Sequence, residues 1–214
     1  MVKQKIAIFD LDGTLIDSSA KLKADVISAF HRLGYQVSPE NIGENWYDLA
    51  RSRGITREAF DEEFDKRKTW AASLRDGEVA VFADTKSSLE KIAKAGITMA
   101  LLSKSLPKYT DTKLDFFGLR KYFTAIRTTS PTELTKDDGA IKLVRELGPN
   151  NISLATFIGD NAIDLSCERA VAEYYNNQFQ TRGVYVNRDG KSIKGYCSVK
   201  TLSEVADLLI QNGR

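Results

Sequence analysis

The chain has 214 residues, 42% hydrophobic and 28% charged, with 31 basic and 29 acidic side chains and a net charge of +2. That length can bury a real core and fits one domain plus a smaller one, while near-neutral, interspersed charge excludes an electrostatic case for nucleic acid or an anionic membrane. No apolar stretch approaches a membrane span and Asp10 and Asp12 interrupt the first apolar run, so neither a transmembrane segment nor a signal peptide is expected and the expected location is cytoplasmic.

In chain order, Lys5–Phe9 is the first predicted strand, and it runs directly into Asp10 and Asp12, followed by Gly13 and Thr14. Successive strand residues point to opposite faces, so two aspartates at the very end of a buried strand are not there for packing. Ionised carboxylates in such a place are costly unless paired or bound to a metal, and strand ends of open α/β sheets are where ligands bind. From about Asp17 to Ala83 no convincing strand occurs. The segment reads as several helices, with Ser38-Pro39-Glu40 and Thr56-Arg57-Glu58 as start signals. An insertion directly after the first strand is expected to hang over its carboxyl end as a lid, giving a core of 1–16 and 84–214 and a helical cap of 17–83. His31 falls in the tail of a helical stretch and leaves no material for a histidine-based site.

Alternation then resumes. Strands are expected at Ile97–Leu102, Ala125–Thr128, Leu154–Ile158 and Gly183–Val186, and helices at Thr85–Ala95, Lys108–Phe117, Lys136–Leu147, Asn161–Glu173 and Thr201–Gln211. Gly96, Gly118 and Gly148 fall where helix C-termini favour glycine. Strands alternating with helices predict an α/β class protein with a mainly parallel, Rossmann-like sheet. Cys167 and Cys197 are too few for a disulfide framework or a zinc cluster and are expected as free thiols.

The residue types at the strand ends point to phosphoryl chemistry. Asp10 can attack phosphorus and form an aspartyl-phosphate. Asp12 can give a proton to the leaving alkoxide and later take one from water. Gly13 permits close backbone approach to a phosphate, with Thr14 beside it. Asp160 and Asp164 lie four apart after the run LATFI, on one face if a helical turn begins there. Oxygen-only ligation suits Mg²⁺. Alternatively the pair is a helix N-cap with first-turn charge. Ser103 can donate a hydrogen bond to a phosphoryl oxygen, and Lys136 can neutralise charge developing on it. The run from Thr135 to Asp138 can equally start a helix, and Lys142 would face elsewhere. Four aspartates, one Mg²⁺ and one lysine leave an excess of about one negative charge, which a phosphate dianion raises to about three; protonating Asp12 removes one.

These motifs, in this order, resemble the haloacid dehalogenase superfamily of phosphohydrolases over nearly the whole chain, with an inserted helical cap like that of phosphoglycolate-phosphatase-like members. FDLDGTLIDS matches the first family motif, the hydrophobic strand of MALLSKS ends at the second-motif Ser103, Lys136 stands for the third-motif lysine, and FIGDNAID supplies the acidic fourth motif. The resemblance implies that the Asp12 backbone carbonyl joins Asp10 and Asp160 on Mg²⁺, with Asp164 as a ligand or as the partner of Lys136. Two departures are visible. Lys104 stands where relatives most often carry Asn, either adding charge near the phosphate or pointing to solvent, and Lys136 is followed by Asp137 instead of the usual proline.

The implied activity is Mg²⁺-dependent hydrolysis of a small phosphorylated metabolite by a monomer or homodimer. Dehalogenases of the superfamily lack the second carboxylate, which Asp12 supplies. A phosphonatase would need a cap lysine, for which Lys66 or Lys68 are candidates, although Asp65–Lys68 is more simply a solvated helix face. A hexose-phosphate mutase and a non-catalytic binding protein are the remaining alternatives. In the cap, Trp46, Tyr47, Arg51 and Arg53 form an aromatic-basic cluster. It either contacts an anionic substrate, with Arg51 as a binding residue, or packs Trp46 into the cap's own core and leaves the arginines exposed.

Overall fold

The apolar runs become the strands of one parallel sheet. A computed structural model describes residues 3–42, 46–67, 70–128, 135–188, 190 and 192–211. In chain order the elements are β1 (Gln4–Phe9), β2 (Ile16–Asp17), α1 (Ser19–Arg32), α2 (Trp46–Ser52), α3 (Arg57–Asp65), α4 (Trp70–Arg75) and β3 (Ala80–Val81). There follow α5 (Thr85–Lys94), β4 (Thr98–Ser103), α6 (Pro107–Phe117), β5 (Ala125–Thr128), α7 (Lys136–Glu146) and β6 (Ile152–Gly159). The chain continues with α8 (Ala162–Tyr174), β7 (Gln180–Val186), β8 (Cys197–Val199) and α9 (Leu202–Gln211). Two compact units result, one of residues 1–16 and 81–214 and one of residues 17–80. The second crossing falls three residues earlier than the sequence suggests, because Val81 already belongs to β3, which pairs with β2 in a two-stranded sheet.

The larger unit is a Rossmann-like α/β fold. Its sheet has the order β5-β4-β1-β6-β7-β8, and every adjacent pair is parallel. β1 pairs with β4 on one side and β6 on the other, so Phe9 lies level with both Leu101 and Ile158. Parallel strands covered on both faces need continuous apolar runs, and these supply them. Ile6, Ile8, Ala100, Leu102, Ala155 and Phe157 pack on one face against Ala140, Leu143 and Val144 of α7 and Cys167 and Val171 of α8. The alternate positions Ala7, Phe9, Met99, Leu101 and Ile158 are also buried. α6 ends at Gly118 in the left-handed conformation that favours glycine (φ +66°). The strand β8 is not evident in the sequence: it is three residues long and two of them are exposed.

The unit of residues 17–80 is helical, with its own core of Val26, Ala29, Phe30, Ile42, Ala50 and Phe60. Trp46 and Tyr47 pack against that core, while Arg51 and Arg53 are exposed. α3 starts as its sequence signal predicts, with the Thr56 side chain accepting the Ala59 N–H. Buried inside α1, Asp25 is ion-paired with Lys21 and, at 3.3 Å, with Arg67. His31 is exposed in the last turn of α1. Among the described residues no helix is long and apolar enough to cross a membrane.

Candidate active site

Because the strands are parallel, the residues that follow β1, β4 and β6 emerge at one edge of the sheet. Asp10 continues β1 for one further bond, its N–H donating to the Ile158 carbonyl at 2.9 Å. The chain then turns sharply, with the Gly13 N–H donating to the Ile16 carbonyl at 2.8 Å. Gly13 has φ +85°, and a Cβ there would lie 2.1 Å from Asp160 Oδ2. The close approach this glycine allows is therefore that of the Asp160 carboxylate. Thr14 is fully buried and its hydroxyl donates to Asp160 Oδ1 at 3.0 Å. Arg188, just beyond β7, donates to the Thr14 carbonyl at 3.3 Å and to Asp84 at 3.2 Å, which ties the turn down from behind.

Asp164 is both a cap residue and a member of the cluster. Asn161 caps α8, accepting the N–H groups of Ile163 at 3.0 Å and Asp164 at 3.2 Å, while Asp164 Oδ2 accepts the Asn161 N–H at 3.2 Å. This reciprocal box fixes the Asp164 rotamer. Its other oxygen accepts from Lys136 Nζ at 2.5 Å. Gly159 makes room: a Cβ there would meet Asp164 Cβ and Oδ2 at 2.2 Å.

Lys136 is likewise both a helix-start residue and part of the site. Thr135 caps α7 by accepting the Asp138 N–H at 3.1 Å, and the Lys136 side chain turns inward, buried, to donate to Asp10 Oδ1 at 2.5 Å and to Asp164. Lys142, its rival in the sequence, is exposed. Ligand atoms of Asp10, Asp160 and Asp164 all lie within 4.8 Å of one another. Burial pushes the Asp10 carboxyl well above the ordinary range; Lys136 opposes this, and the charges of Asp164 and Asp160 add to it. Asp160 is pushed up to about 7, by burial first and then by Asp164. Burial alone would lower Lys136, but Asp10 and Asp164 outweigh it and hold the ammonium protonated. Three carboxylates, those of Asp10 and Asp164 buried and that of Asp160 half-buried, when ionised against one ammonium leave two negative charges in an all-oxygen donor set, which fits a hard dication such as Mg²⁺.

The Asp12 side chain stands apart from that cluster. Its Oδ1 and Oδ2 accept from Lys113 Nζ at 2.6 and 2.8 Å, and Oδ2 also accepts from Ser105 Oγ at 2.8 Å. Sequence reasoning missed both partners. Lys113 has a visible signal: it lies on the buried stripe of α6 with Thr110 and Leu114, where an apolar residue is expected. Ser103, at the end of β4, is buried, and its Oγ accepts the Ser105 N–H at 3.1 Å. Lys104 beside it is exposed. Arg51 lies in the helical unit, ion-paired with Asp48 of its own helix. Lys66 is exposed and paired with Glu62 and Glu63, as expected of a solvated helix face; Lys68 lies outside the described residues.

Comparison with known proteins agrees with this geometry. The family model described as haloacid dehalogenase-like hydrolase matches residues 7–172. A phosphoglycolate phosphatase of Vibrio parahaemolyticus is 29% identical over 143 residues, covering 57% of this chain and 60% of the relative. A pyrophosphatase, PpaX, of Bacillus velezensis is 24% identical over 209 residues, covering 94% of this chain and 93% of the relative. The crystal structure of a predicted phosphatase from Clostridium acetobutylicum superposes with a TM-score of 0.77 at 18% identity, over 99% of this chain and 100% of the other. With the family model spanning more than half its length and the fold shared throughout, the chain belongs to the haloacid dehalogenase-like hydrolase family.

Proposed function

We propose that the protein hydrolyses small-molecule phosphate monoesters, with Mg²⁺, through an aspartyl-phosphate on Asp10. The observation that carries this reading is the convergence of Asp10, Asp160 and Asp164 within 4.8 Å, with Lys136 bonded to two of them and Asp12 held separately. Mg²⁺ would be held by Asp10, Asp160, Asp164 and the Asp12 backbone carbonyl, and when bound it would neutralise charge on the phosphoryl oxygens.

A carboxylate oxygen of Asp10 attacks phosphorus, the bond to the ester oxygen breaks, and the departing alkoxide takes a proton from Asp12. Water then attacks the phosphorus of the aspartyl-phosphate. The bond to Asp10 breaks, and the water's proton passes to Asp12, restoring both carboxyl groups for the next turnover. Lys136 holds the Asp10 carboxylate in its attacking orientation and opposes charge developing on the phosphoryl group. Ser103 accepts the Ser105 N–H, which leaves its O–H to donate to a phosphoryl oxygen. We assign Thr14 to fixing Asp160 in place of contacting phosphate directly, and Gly13 to admitting that carboxylate. Choice of substrate is assigned to the helical unit of residues 17–80.

The test is phosphate release from an aryl phosphate, with Mg²⁺ and with EDTA, for the wild type and Asp10→Asn. Turnover that needs both metal and Asp10 is expected, with Asp12→Asn slower by ~10²–10⁴-fold. Turnover insensitive to EDTA, or full activity in Asp10→Asn, overturns the mechanism. The relatives named above direct the screen that follows, to small phosphorylated acids such as phosphoglycolate and to inorganic pyrophosphate.

A further inference from the structure

We infer that Lys113 is a positioning residue for Asp12, fixing the carboxyl that handles protons in the proposed reaction. The inference rests on that reading of Asp12 and goes beyond it, because Lys113, on α6, has no role that the sequence alone assigns.

Among the donated hydrogen bonds that reach the Asp12 carboxyl are two from the Lys113 ammonium, at 2.6 and 2.8 Å, and one from Ser105 at 2.8 Å. Bonds to both oxygens from one ammonium, with a third from a different direction, leave the carboxyl plane little freedom to rotate. The Lys113 side chain is 0% exposed. Packing gives no reason for it. Its neighbours on the inward face of α6 are Thr110 and Leu114, and an apolar side chain of similar length would fill the same space without desolvating an ammonium. Asp12 itself retains 17% of its side-chain surface, so the group pinned from behind still presents an edge outward.

The second lysine also solves a sorting problem. Asp12 lies two residues from Asp10, beside a cluster that already gathers three carboxylates, two of them bonded to Lys136. Without a partner of its own, the Asp12 carboxylate would be drawn to Lys136 or to a cation in that cluster, away from a leaving oxygen. Lys113 approaches from the helix that follows β4 and holds it out. Misplacement of a reacting group by about 1 Å costs on the order of 100-fold in rate. That is the expected loss.

The experiment compares Lys113→Met in the wild-type and Asp12→Asn backgrounds, reading kcat, KM and Mg²⁺ dependence with an aryl phosphate, and thermal melting for each variant. Lys113→Met is expected to lower kcat ~100-fold with KM and Mg²⁺ dependence little changed, and to cause no further loss once Asp12 is Asn. An equal fold-loss in both backgrounds would make Lys113 merely structural and overturn the inference, as would wild-type kcat in Lys113→Met. Full activity in Asp12→Asn alone would remove the reading of Asp12 on which the inference stands, a different failure. If the Met variant does not fold, Lys113→Ala titrated with ethylammonium takes its place. Rescue of kcat only when Asp12 is present supports positioning, and no rescue overturns it.

Discussion

Gly159→Ala is the sharpest perturbation this site offers, because one added methyl group meets one functional side chain. The new Cβ would lie 2.2 Å from Asp164 Cβ and Oδ2 and 2.4 Å from its Cγ. Carbon atoms in contact prefer about 3.5–4.0 Å, so more than about 1 Å of movement is required. Asp164 is not free to make it, being held by Lys136 at 2.5 Å and by the Asn161 N–H at 3.2 Å. Either these bonds break or the end of β6 shifts, and Asp160 with it. Overpacking of this kind costs ~1–3 kcal/mol, roughly 2–12 °C in melting temperature for a chain of this size. Displacing the cluster by about 1 Å should lower kcat ~100-fold and raise the Mg²⁺ concentration needed for half-maximal activity. Gly183→Ala is the matched control: its Cβ would approach the Tyr196 ring at 2.6 Å, on β7, so it should destabilise comparably while leaving activity within a few fold. Phosphate release across a Mg²⁺ titration, with melting curves for both variants, decides. Normal kcat and normal Mg²⁺ dependence in a folded Gly159→Ala would refute the claim that Asp164 must sit where the structure has it.

Two further outcomes follow from buried titratable groups. Burial raises the Asp25 carboxyl above its ordinary value of 3.8 despite Lys21 and Arg67, with Glu78 adding to the rise. Between 3.8 and its raised folded value the native state then holds more protons than the unfolded one, so this group's contribution to stability falls as pH rises through that window. The melting temperature of the wild type relative to Asp25→Asn should therefore drop across it; a rise would mean that the ion pairs with Lys21 and Arg67 outweigh desolvation. Burial likewise pushes the Cys167 thiol far above its usual range, whereas Cys197 is exposed. A thiol reagent should label one cysteine per native chain and the second only in denaturant, and rapid double labelling would contradict the buried position on α8.

Legibility in the sequence follows physical locality. β1, β4 and β6 are largely apolar runs of six to eight residues, and β5 and β7 carry shorter apolar stretches, all bounded by turn signals, so period and punctuation locate them to within a few positions. Asp10, Asp12, Asp160 and Asp164 are visible because ionised groups at buried strand ends violate the expected pattern. Partnerships are not visible, because they are made by the fold. Ser105 and Lys113 reach Asp12 across 93 and 101 residues of chain, and Arg188 reaches Thr14 across 174. The alternative roles of Lys136 and of Asp164 also prove compatible. A helix N-terminus supplies a fixed rotamer and a direction, so Thr135 and Asn161 cap α7 and α8 while the residues they fix turn toward Asp10.

Lys113 also changes the charge balance on which a protonated Asp12 is expected. Counting one lysine, four aspartates and a dication leave an excess negative charge that a proton on Asp12 would relieve. With the second buried ammonium bonded to Asp12, two ammoniums and a bound dication would balance four carboxylates before any substrate arrived. Electroneutrality alone therefore no longer requires the proton. The excess returns only when a phosphate dianion enters, and a proton on Asp12 then removes half of it. In that arrangement the substrate's own charge brings the acid into its working state. In the proposed reaction, once the dianion became an aspartyl-phosphate and the alcohol left with the proton, Asp12 would again be a carboxylate against Lys113, the form that can take a proton from water. The division of four aspartates between two lysines would thus suit both half-reactions of the proposed mechanism. Asp10, Asp160 and Asp164 would gather the charge that a dication offsets, while Lys113 holds the Asp12 carboxyl through two hydrogen bonds.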